Sequence, residues 1–241
     1  KPYEIPFAES VSQNLLHGRL WTTYGTGKSD FWTIDDNYPD CVDNDGGAFH
    51  MISEANDDWA YLGTGKIALA GAAKPKLIFY HKAAANSGAK IKIEVELPDG
   101  TTKEVANIDA AKDGGNWTAS AVSLADFAEE EFLSVNFVAQ ANKGEVVYID
   151  RMFIRDTYTY DLNAEIEAPE KAKKGDTETV KVTINNFGSK DARGYKVELY
   201  ANGELVDTKT PSEPLKAYYF ETFNFEYKSN ILDDKEAVDL K

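Results

Sequence analysis

Apolar and polar residues alternate along most of the first 155 residues, in short runs separated by turn residues. Residues 91–97 alternate cleanly, and Pro98-Asp99-Gly100-Thr101 follows as a hairpin turn. Similar short runs occupy 61–62, 66–69, 76–81, 117–124, 132–139 and 146–154. No stretch of ten or more residues has the period of an amphipathic helix. This pattern predicts an all-β fold, with a jelly-roll β-sandwich as the first domain.

A second block of alternating segments begins after Tyr158. Residues 179–184 predict a strand, and Asn202-Gly203 predicts a hairpin between 195–200 and 205–207. Together with 220–227 and 236–240, these segments give about six short strands. We therefore predict a jelly roll over 1–158 and a smaller immunoglobulin-like β-sandwich over 159–241. Because seven strands complete such a sandwich, we expect the second domain to be incomplete at its C-terminus.

The overall charge narrows the class of partner. The chain carries 41 acidic and 26 basic residues, a net charge of −15. Because phosphate binding needs a basic surface, this balance argues against a nucleic-acid partner. No run approaches 18 apolar residues, so we expect no membrane span. Cys41 is the single cysteine, and an internal disulfide is therefore impossible.

Catalytic motifs are absent from the sequence. The three histidines, His17, His50 and His81, stand in unrelated contexts without metal-ligand spacing. Neither a nucleophile elbow nor a nucleotide-binding loop occurs. We therefore predict that the chain is not an enzyme. A pair of glycosidase carboxylates stays open as an alternative, because such pairs are defined in space and not by spacing along the chain.

An acidic residue interrupts the apolar segment 146–154. Asp150 lies among residues that belong in a core, where a bare carboxylate is very costly. Glu9 occupies a similar position in the first apolar segment, so the two acids are predicted to meet where the first and last strands of the jelly roll pair. The alternatives are a half-exposed carboxylate or an ion pair with one of three cations: Arg151, Lys66 or Arg155.

Aromatic side chains offer flat apolar faces on which sugar rings can stack. Six residues are candidates: Trp21, Trp32, Trp59, Trp117, Tyr61 and Tyr80. Trp32 and Trp117 lie in apolar segments typical of a core. Trp59 follows Asn56-Asp57-Asp58 in a predicted loop, which favours exposure. We therefore predict that Trp59 and Tyr61 contact any bound sugar.

Six different short motifs lie within residues 5–155: Ile5-Pro6-Phe7-Ala8-Glu9, Phe31-Trp32, Gly46-Gly47, 62–69, 75–80 and 147–150. They resemble the MAM-like jelly rolls of secreted bacterial (Bacteroidetes-like) proteins, of the cleaved-adhesin or choice-of-anchor J type. A second set is Asp161-Leu162, Gly175-Asp176, 180–188 and 197–203. It resembles the CARDB adhesion module. Together the two resemblances cover nearly the whole chain.

The first resemblance implies a structural calcium ion. Related jelly rolls, including many carbohydrate-binding modules, hold calcium with an acid from the first strand and another from the last, positions matched by Glu9 and Asp150. Calcium takes six to eight oxygen ligands. Asp43 and Asp45, in the acidic loop before Gly46-Gly47, could supply more of them. The metal ligands predicted on this basis are Glu9, Asp43, Asp45 and Asp150.

These resemblances imply a non-catalytic recognition or adhesion fragment of a larger secreted or cell-surface bacterial protein. The expected partners are a glycan or a cell-surface protein, and further domains of a longer chain. Two alternatives stay open. One is an accessory carbohydrate-binding region of a glycan-degrading enzyme, and the other is an architectural stalk without a ligand.

Overall fold

The computed structural model describes residues 1–11, 21–25, 32–35, 40–229 and 237–241. They form two compact units, Lys1–Asp156 and Thr157–Lys241. The boundary lies two residues before the predicted position, because the carbonyl of Tyr158 accepts a hydrogen bond from Ser189 N (3.3 Å) in the second unit. Within the described ranges the only helical element is a 3₁₀ turn at Ala125–Phe127. The predicted motif residue Phe31 lies outside the described residues.

The first unit is built from short strands. Those described are β1 (Tyr3–Glu4), β2 (Phe7–Glu9), β3 (Thr22–Gly25), β4 (Thr33–Asp35), β5 (Ala48–Ile52), β6 (Asp58–Gly63), β7 (Ile67–Ala68), β8 (Pro75–Ala83), β9 (Lys90–Glu96), β10 (Thr102–Asp109), β11 (Thr118–Ser123), β12 (Ser134–Ala141) and β13 (Val146–Asp156). The predicted turn after β9 is present, since Leu97 N donates to Thr101 O (2.9 Å).

Eleven of these strands form two packed sheets, and β1 pairs with β7 in a separate two-stranded parallel sheet. One has the order β10-β9-β12-β6-β3, and the other has the order β11-β8-β13-β5-β4, with β2 also paired to β13. Alternate residues of both sheets, such as Ile91, Phe137 and Phe79, are fully buried in one shared apolar core. Because successive side chains of a strand point to opposite faces, the other half of each strand faces outward. The prediction of a jelly-roll β-sandwich is confirmed.

A bulge interrupts β13 immediately after Asp150. The pairing of β13 with β8 shifts by one residue between Asp150 and Phe153. Arg151 takes a positive φ of 44°, which is uncommon for a residue with a side chain. The core-facing positions are therefore Ile149 before the bulge and Met152 after it. The bulge re-aims the side chains in the segment that carries the buried acid.

The second unit is a smaller β-sandwich. Its described strands are β14 (Leu162–Glu167), β15 (Thr177–Asn186), β16 (Val197–Ala201), β17 (Glu204–Lys209) and β18 (Phe220–Lys228). They form a sheet β14-β15-β18 and a hairpin β16-β17. The hairpin turns at Asn202 (φ 50°) and Gly203 (φ 84°), as predicted. Of the predicted strand 236–240, Leu240 forms a bridge with Ala201, and 236 lies outside the described residues. The immunoglobulin-like architecture is confirmed.

Candidate functional site

The two predicted sugar-binding residues lie together on the outer face of the five-stranded sheet. Ala60 and Leu62 of β6 belong to the core. Trp59 and Tyr61 alternate with them and therefore face outward, half-buried. Both line a cavity of about 300 Å³. Its lining residues, called the platform below, are Trp59, Tyr61, Lys90, Lys92, Glu94, Asn107, Val138 and Gln140.

Strand register arranges the platform in two rows across the sheet. One row runs from Trp59 on β6 through Gln140 on β12 to Lys90 on β9. The other begins at Tyr61 and continues with Val138, Lys92 and Asn107 on successive strands. Directly paired residues have Cβ atoms about 4.5–5.5 Å apart, so Trp59 has the amide of Gln140 beside it and Tyr61 has the apolar Val138.

The position of Trp59 differs from the prediction, which placed it in a loop. Asp58 explains this difference, because its Oδ2 accepts hydrogen bonds from Glu54 N (3.0 Å) and Ala55 N (2.7 Å). These bonds close the turn before β6, and the strand begins at Asp58. Trp59 is consequently held by a paired strand, a firmer support for a binding residue than a loop.

Gly63 makes room for the Tyr61 ring. A Cβ atom at Gly63 would lie 2.7 Å from both Cε1 and the hydroxyl of Tyr61, so the ring lies back across this glycine. The same Cβ would lie 3.0 Å from Oδ1 of Asn136. Asn136 is buried, and within the described ranges its Oδ1 accepts no hydrogen bond. A polar acceptor therefore lies beside the tyrosine, at the margin of the platform.

Carboxylates hold both platform lysines. Lys90 Nζ lies 3.8 Å from Asp109 Oδ2. Lys92 Nζ lies 3.6 Å from Glu94 Oε1 and 3.8 Å from Glu104 Oε2. Pairs this exposed add little to stability. Their main effect is to fix where positive and negative charge stand on the platform.

The other candidate aromatic residues lie elsewhere. Trp32 is buried, as predicted, and its Nε1 donates to Ala60 O (3.1 Å). Trp117 is half-buried on the outer face of the six-stranded sheet. Tyr80, another of the six candidates, is buried, with 2% of it exposed. Its strand β8 is buried on both faces over most of its length. Trp21 is half-buried and packs edge-on against Phe49, with ring centroids 5.1 Å apart.

Three of the four predicted metal ligands lie close together. Residues 40–47, called the acidic loop below, lie against β13. Val42 N donates to Asp150 Oδ2 (3.0 Å), and Arg151 N donates to Asp150 Oδ1 (2.7 Å). Burial, and then the negative charge of Asp43, raise the pKa of Asp150 to about 8, although these two hydrogen bonds act to lower it. The buried acid predicted at position 150 is thus held by loop backbone.

Asp43 and Asp45 form a cluster with the single cysteine. Ligand atoms of these two acids and of Cys41 lie within 4.8 Å of one another. Burial, and then the charge of Asp45, raise the pKa of Asp43 to about 6. Arg151 opposes this shift, with its Nε 3.7 Å from Asp43 Oδ2. Because calcium takes oxygen ligands, the usable donors here are the carboxylates and backbone carbonyls, while the buried thiol contributes none.

Glu9 is buried on β2, which pairs with β13. In that ladder it stands opposite Met152, on the far side of the bulge from Asp150. Its carboxylate accepts hydrogen bonds from Val11 N (3.2 Å) and Trp21 Nε1 (3.3 Å). The first and last strands of the jelly roll are therefore neighbours, whereas a shared Glu9–Asp150 site stays a prediction.

Six platform residues were missed in the sequence: Lys90, Lys92, Glu94, Asn107, Val138 and Gln140. The strict alternation of β9 shows that Lys90, Lys92 and Glu94 share one outward face. The sequence around these residues does not show that this face adjoins Trp59. The pairing of β9 with β12 and of β12 with β6 joins residues that are distant in the chain.

A larger cavity, of about 700 Å³, lies in the second unit beside Tyr160 and Asp161. Tyr160 is 74% exposed there, and most of the remaining lining comes from the turn at residues 189–193. The platform is the better candidate, because it combines two aromatic residues with paired strands and convergent polar groups.

Comparisons with known proteins agree with the division into two units. Residues 159–240 match the CARDB family model, which confirms the resemblance of the second unit. No curated protein matches the chain. Within the described residues there is no helix long and apolar enough to cross a membrane.

Two solved structures illustrate the likeness of fold. The K1 cleaved-adhesin domain of Lys-gingipain from Porphyromonas gingivalis W83 is 17% identical, with a TM-score of 0.45, covering 62% of this chain and 96% of that one. A xylan-binding domain from Paenibacillus barcinonensis is 13% identical, with a TM-score of 0.43, covering 64% of this chain and 96% of that one.

Proposed function

We propose that the first unit is a non-catalytic recognition module of a secreted or cell-surface protein, and that it binds a glycan at the platform. The observation that carries this proposal is the shared cavity of Trp59 and Tyr61, which is bordered by amide and charged side chains on an outward sheet face. Sugar rings offer apolar C–H faces and polar edges. An aromatic ring with hydrogen-bonding groups beside it matches both.

The charged groups of the platform favour binding over catalysis. Hydrolysis of a glycosidic bond takes two carboxyl groups that flank it. Among the described residues that line the cavity, Glu94 alone carries a carboxyl group, and it pairs with Lys92. The neighbouring carboxylates Glu104 and Asp109 also lie within 4 Å of platform lysines. An accessory carbohydrate-binding role beside a separate catalytic domain would use the same platform, and it stands as the alternative setting.

Alanine substitution tests the proposal. Polysaccharide-retardation gels and a glycan array identify the ligand, and Trp59→Ala and Tyr61→Ala are then compared with the wild type. Each variant should bind about tenfold more weakly or worse, because central aromatic contacts dominate such interfaces. The melting temperature of the first unit should change by less than about 3 °C, since each side chain is only half-buried.

Tyr160→Ala, beside the larger cavity of the second unit, is the matched control and should bind like the wild type. Absence of any glycan binding by the wild type would contradict the proposal. A large fall in the melting temperature of Trp59→Ala would instead make Trp59 a core residue, where truncation costs about 3–5 kcal/mol.

We also propose that the acidic loop binds calcium, through Asp43, Asp45 and Asp150, with backbone carbonyls of the loop as further ligands. Support comes from the approach of Asp43 to Asp45 and from the burial of Asp150 behind them. Glu9, the fourth predicted ligand, would have to act from its position opposite Met152. The alternative is the Asp43–Arg151 ion pair, which supplies a positive charge without a metal.

Chelation distinguishes these accounts. Calcium bound only by the folded state should stabilise it by about 2.7 kcal/mol at one hundred times the dissociation constant. EDTA should therefore lower the melting temperature of the first unit, and Asp45→Asn should remove that response. Glu9→Gln removes it too only if Glu9 is a ligand. Identical melting of the wild type in EDTA and in calcium would leave the ion pair as the better account.

A further inference from the structure

We infer that the platform selects neutral glycan chains and rejects acidic ones, an inference that rests on the proposed glycan-binding function. The feature that carries it is the pairing of both platform lysines with carboxylates on the same sheet face. A site for uronic acids or sulfated sugars needs cationic groups that are available to the ligand. Here each ammonium group already has a partner.

The charges on this face can be counted strand by strand. Lys90 and Lys92 of β9 supply two positive charges. Asp109 and Glu104 of β10 and Glu94 of β9 supply three negative charges, each within 4 Å of one of those lysines. In the register of β9 with β10, Lys90 faces Asp109, whereas Lys92 faces Asn107 and reaches Glu104 diagonally. Glu96 of β9 lies outward by the same alternation and adds a fourth negative charge. The face is therefore negative, although it contains lysines.

An acidic sugar would have to compete with these carboxylates. To reach Lys90 it would displace Asp109, and at Lys92 it would displace Glu94 or Glu104. In each case a carboxylate would be left beside the incoming anion. Like charges at such distances repel, and the partly exposed position weakens this repulsion without removing it. An anionic chain thus loses more on this face than it gains.

A neutral sugar meets no such penalty. An ammonium group has three N–H donors, so an ion pair leaves donors for sugar hydroxyl groups. Asn107 and Gln140 each offer an amide donor and an acceptor next to the rings. The three carboxylates also accept hydrogen bonds from hydroxyl groups. The ion pairs hold this set of donors and acceptors in place, which favours recognition of hydroxyl-rich, uncharged chains.

The test removes the carboxylates and asks whether acidic glycans then bind. Retardation gels are run with neutral polysaccharides (xylan, galactan and β-glucan) and acidic ones (polygalacturonate and alginate). The wild type should bind at least one neutral polymer, and acidic polymers at least tenfold more weakly. The double variant E104Q/D109N should gain about tenfold in binding to an acidic polymer. Because that gain is electrostatic, added salt should reverse it.

The matched control is E204Q/E213Q, which removes the same charge from exposed positions of the second unit. It should bind acidic polymers like the wild type. Equal retention of the wild type by neutral and acidic polymers, with loss of both in Trp59→Ala, overturns the inference but leaves glycan binding intact. A double variant that gains no more than the control also overturns it. No retention by any polymer overturns the proposed function and, with it, this inference.

Discussion

The two outer faces of the jelly roll carry the same kinds of residue in different arrangements. On the five-stranded sheet, Trp59 and Tyr61 line an open cavity, and Lys92 pairs with carboxylates at its margin. On the six-stranded sheet, Lys82 lies between two aromatic rings, with Nζ 5.3 Å from the centroid of Trp117 and 5.6 Å from that of Tyr148. The aromatic residues of both faces are half-buried, and the faces differ in how the lysine beside them is placed.

The acidic loop accounts for the difference. Asp40, at its start, pairs with Lys82 and accepts a hydrogen bond through its carbonyl from Trp117 Nε1 (2.6 Å). The Lys82 side chain is consequently only 12% exposed, whereas that of Lys92 is 37% exposed. Composition alone therefore does not identify a sugar-binding face. On the six-stranded sheet the loop backbone already accepts the hydrogen bond of the Trp117 ring N–H.

The largest predicted effect is the stability cost of truncating a tryptophan on each face. Trp117→Ala should lower the free energy of unfolding of the first unit by about 3 kcal/mol, because the loop loses both its packing and a hydrogen bond. Trp59→Ala should cost less than about 1 kcal/mol, a value typical of surface positions. Urea unfolding followed by tryptophan fluorescence measures the free energy of unfolding of each variant, since all four tryptophans lie in the first unit. Equal costs would mean that the two faces do not differ in this way.

Protonation of one buried histidine should destabilise the core that supports both faces. His81 is the inward neighbour of Lys82 on β8, where its Nδ1 donates to Ala110 O (3.2 Å) and its Nε2 accepts from the Ser120 hydroxyl (2.8 Å). Burial lowers the pKa of His81 to about 4. The unfolded chain, with an ordinary histidine pKa near 6.5, therefore takes up the proton first. This contribution to stability is complete above pH 6.5 and is lost as the pH falls towards 4.

At pH 5 the loss from His81 alone should be about 2 kcal/mol relative to pH 7. Asp43 and Asp150 have raised pKa values, so their protonation stabilises the folded state as the pH falls. The pH dependence of the wild-type free energy of unfolding is therefore the sum of these opposing contributions. The informative quantity is the difference between wild type and His81→Gln, measured by urea unfolding at both pH values. Parallel slopes for wild type and His81→Gln would show that His81 does not contribute.

Local sequence patterns were sufficient to predict the hairpins and the buried acid discussed here. The alternation of β9 and the turn residues Pro98-Asp99-Gly100-Thr101 define one hairpin, and Asn202-Gly203 defines another. Asp150 was identified as a buried acid because its neighbours are apolar. In each case a few adjacent residues determine the backbone, so the information is present in a short window of sequence.

Long-range pairing could not be deduced in this way. The hydrogen bond from Val42 N to Asp150 joins residues 108 positions apart. The bulge at Arg151 shifts the pairing register of β13, and no glycine in that strand predicts it. Enclosure of Trp117 by the acidic loop and exposure of Trp59 both depend on such contacts. The sequence therefore identifies the residue types of a site more readily than the face on which they gather.

The smallest predicted effect concerns the orientation of a single ring on the open face. Gly63→Ala adds a methyl group 2.7 Å from Cε1 and the hydroxyl of Tyr61, so the end of that side chain must move. Gly63 has no positive φ, and alanine should therefore fold there without backbone strain. Glycan affinity should fall about fivefold, or about 1 kcal/mol, because Tyr61 is displaced while Trp59 is left in place.

Gly88→Ala is the matched control, since a Cβ atom there meets no atom within 4 Å. Calorimetric titration with the glycan found for the wild type measures the difference. Unchanged affinity in Gly63→Ala, with Tyr61→Ala still impaired, would mean that binding needs the tyrosine but not its present orientation.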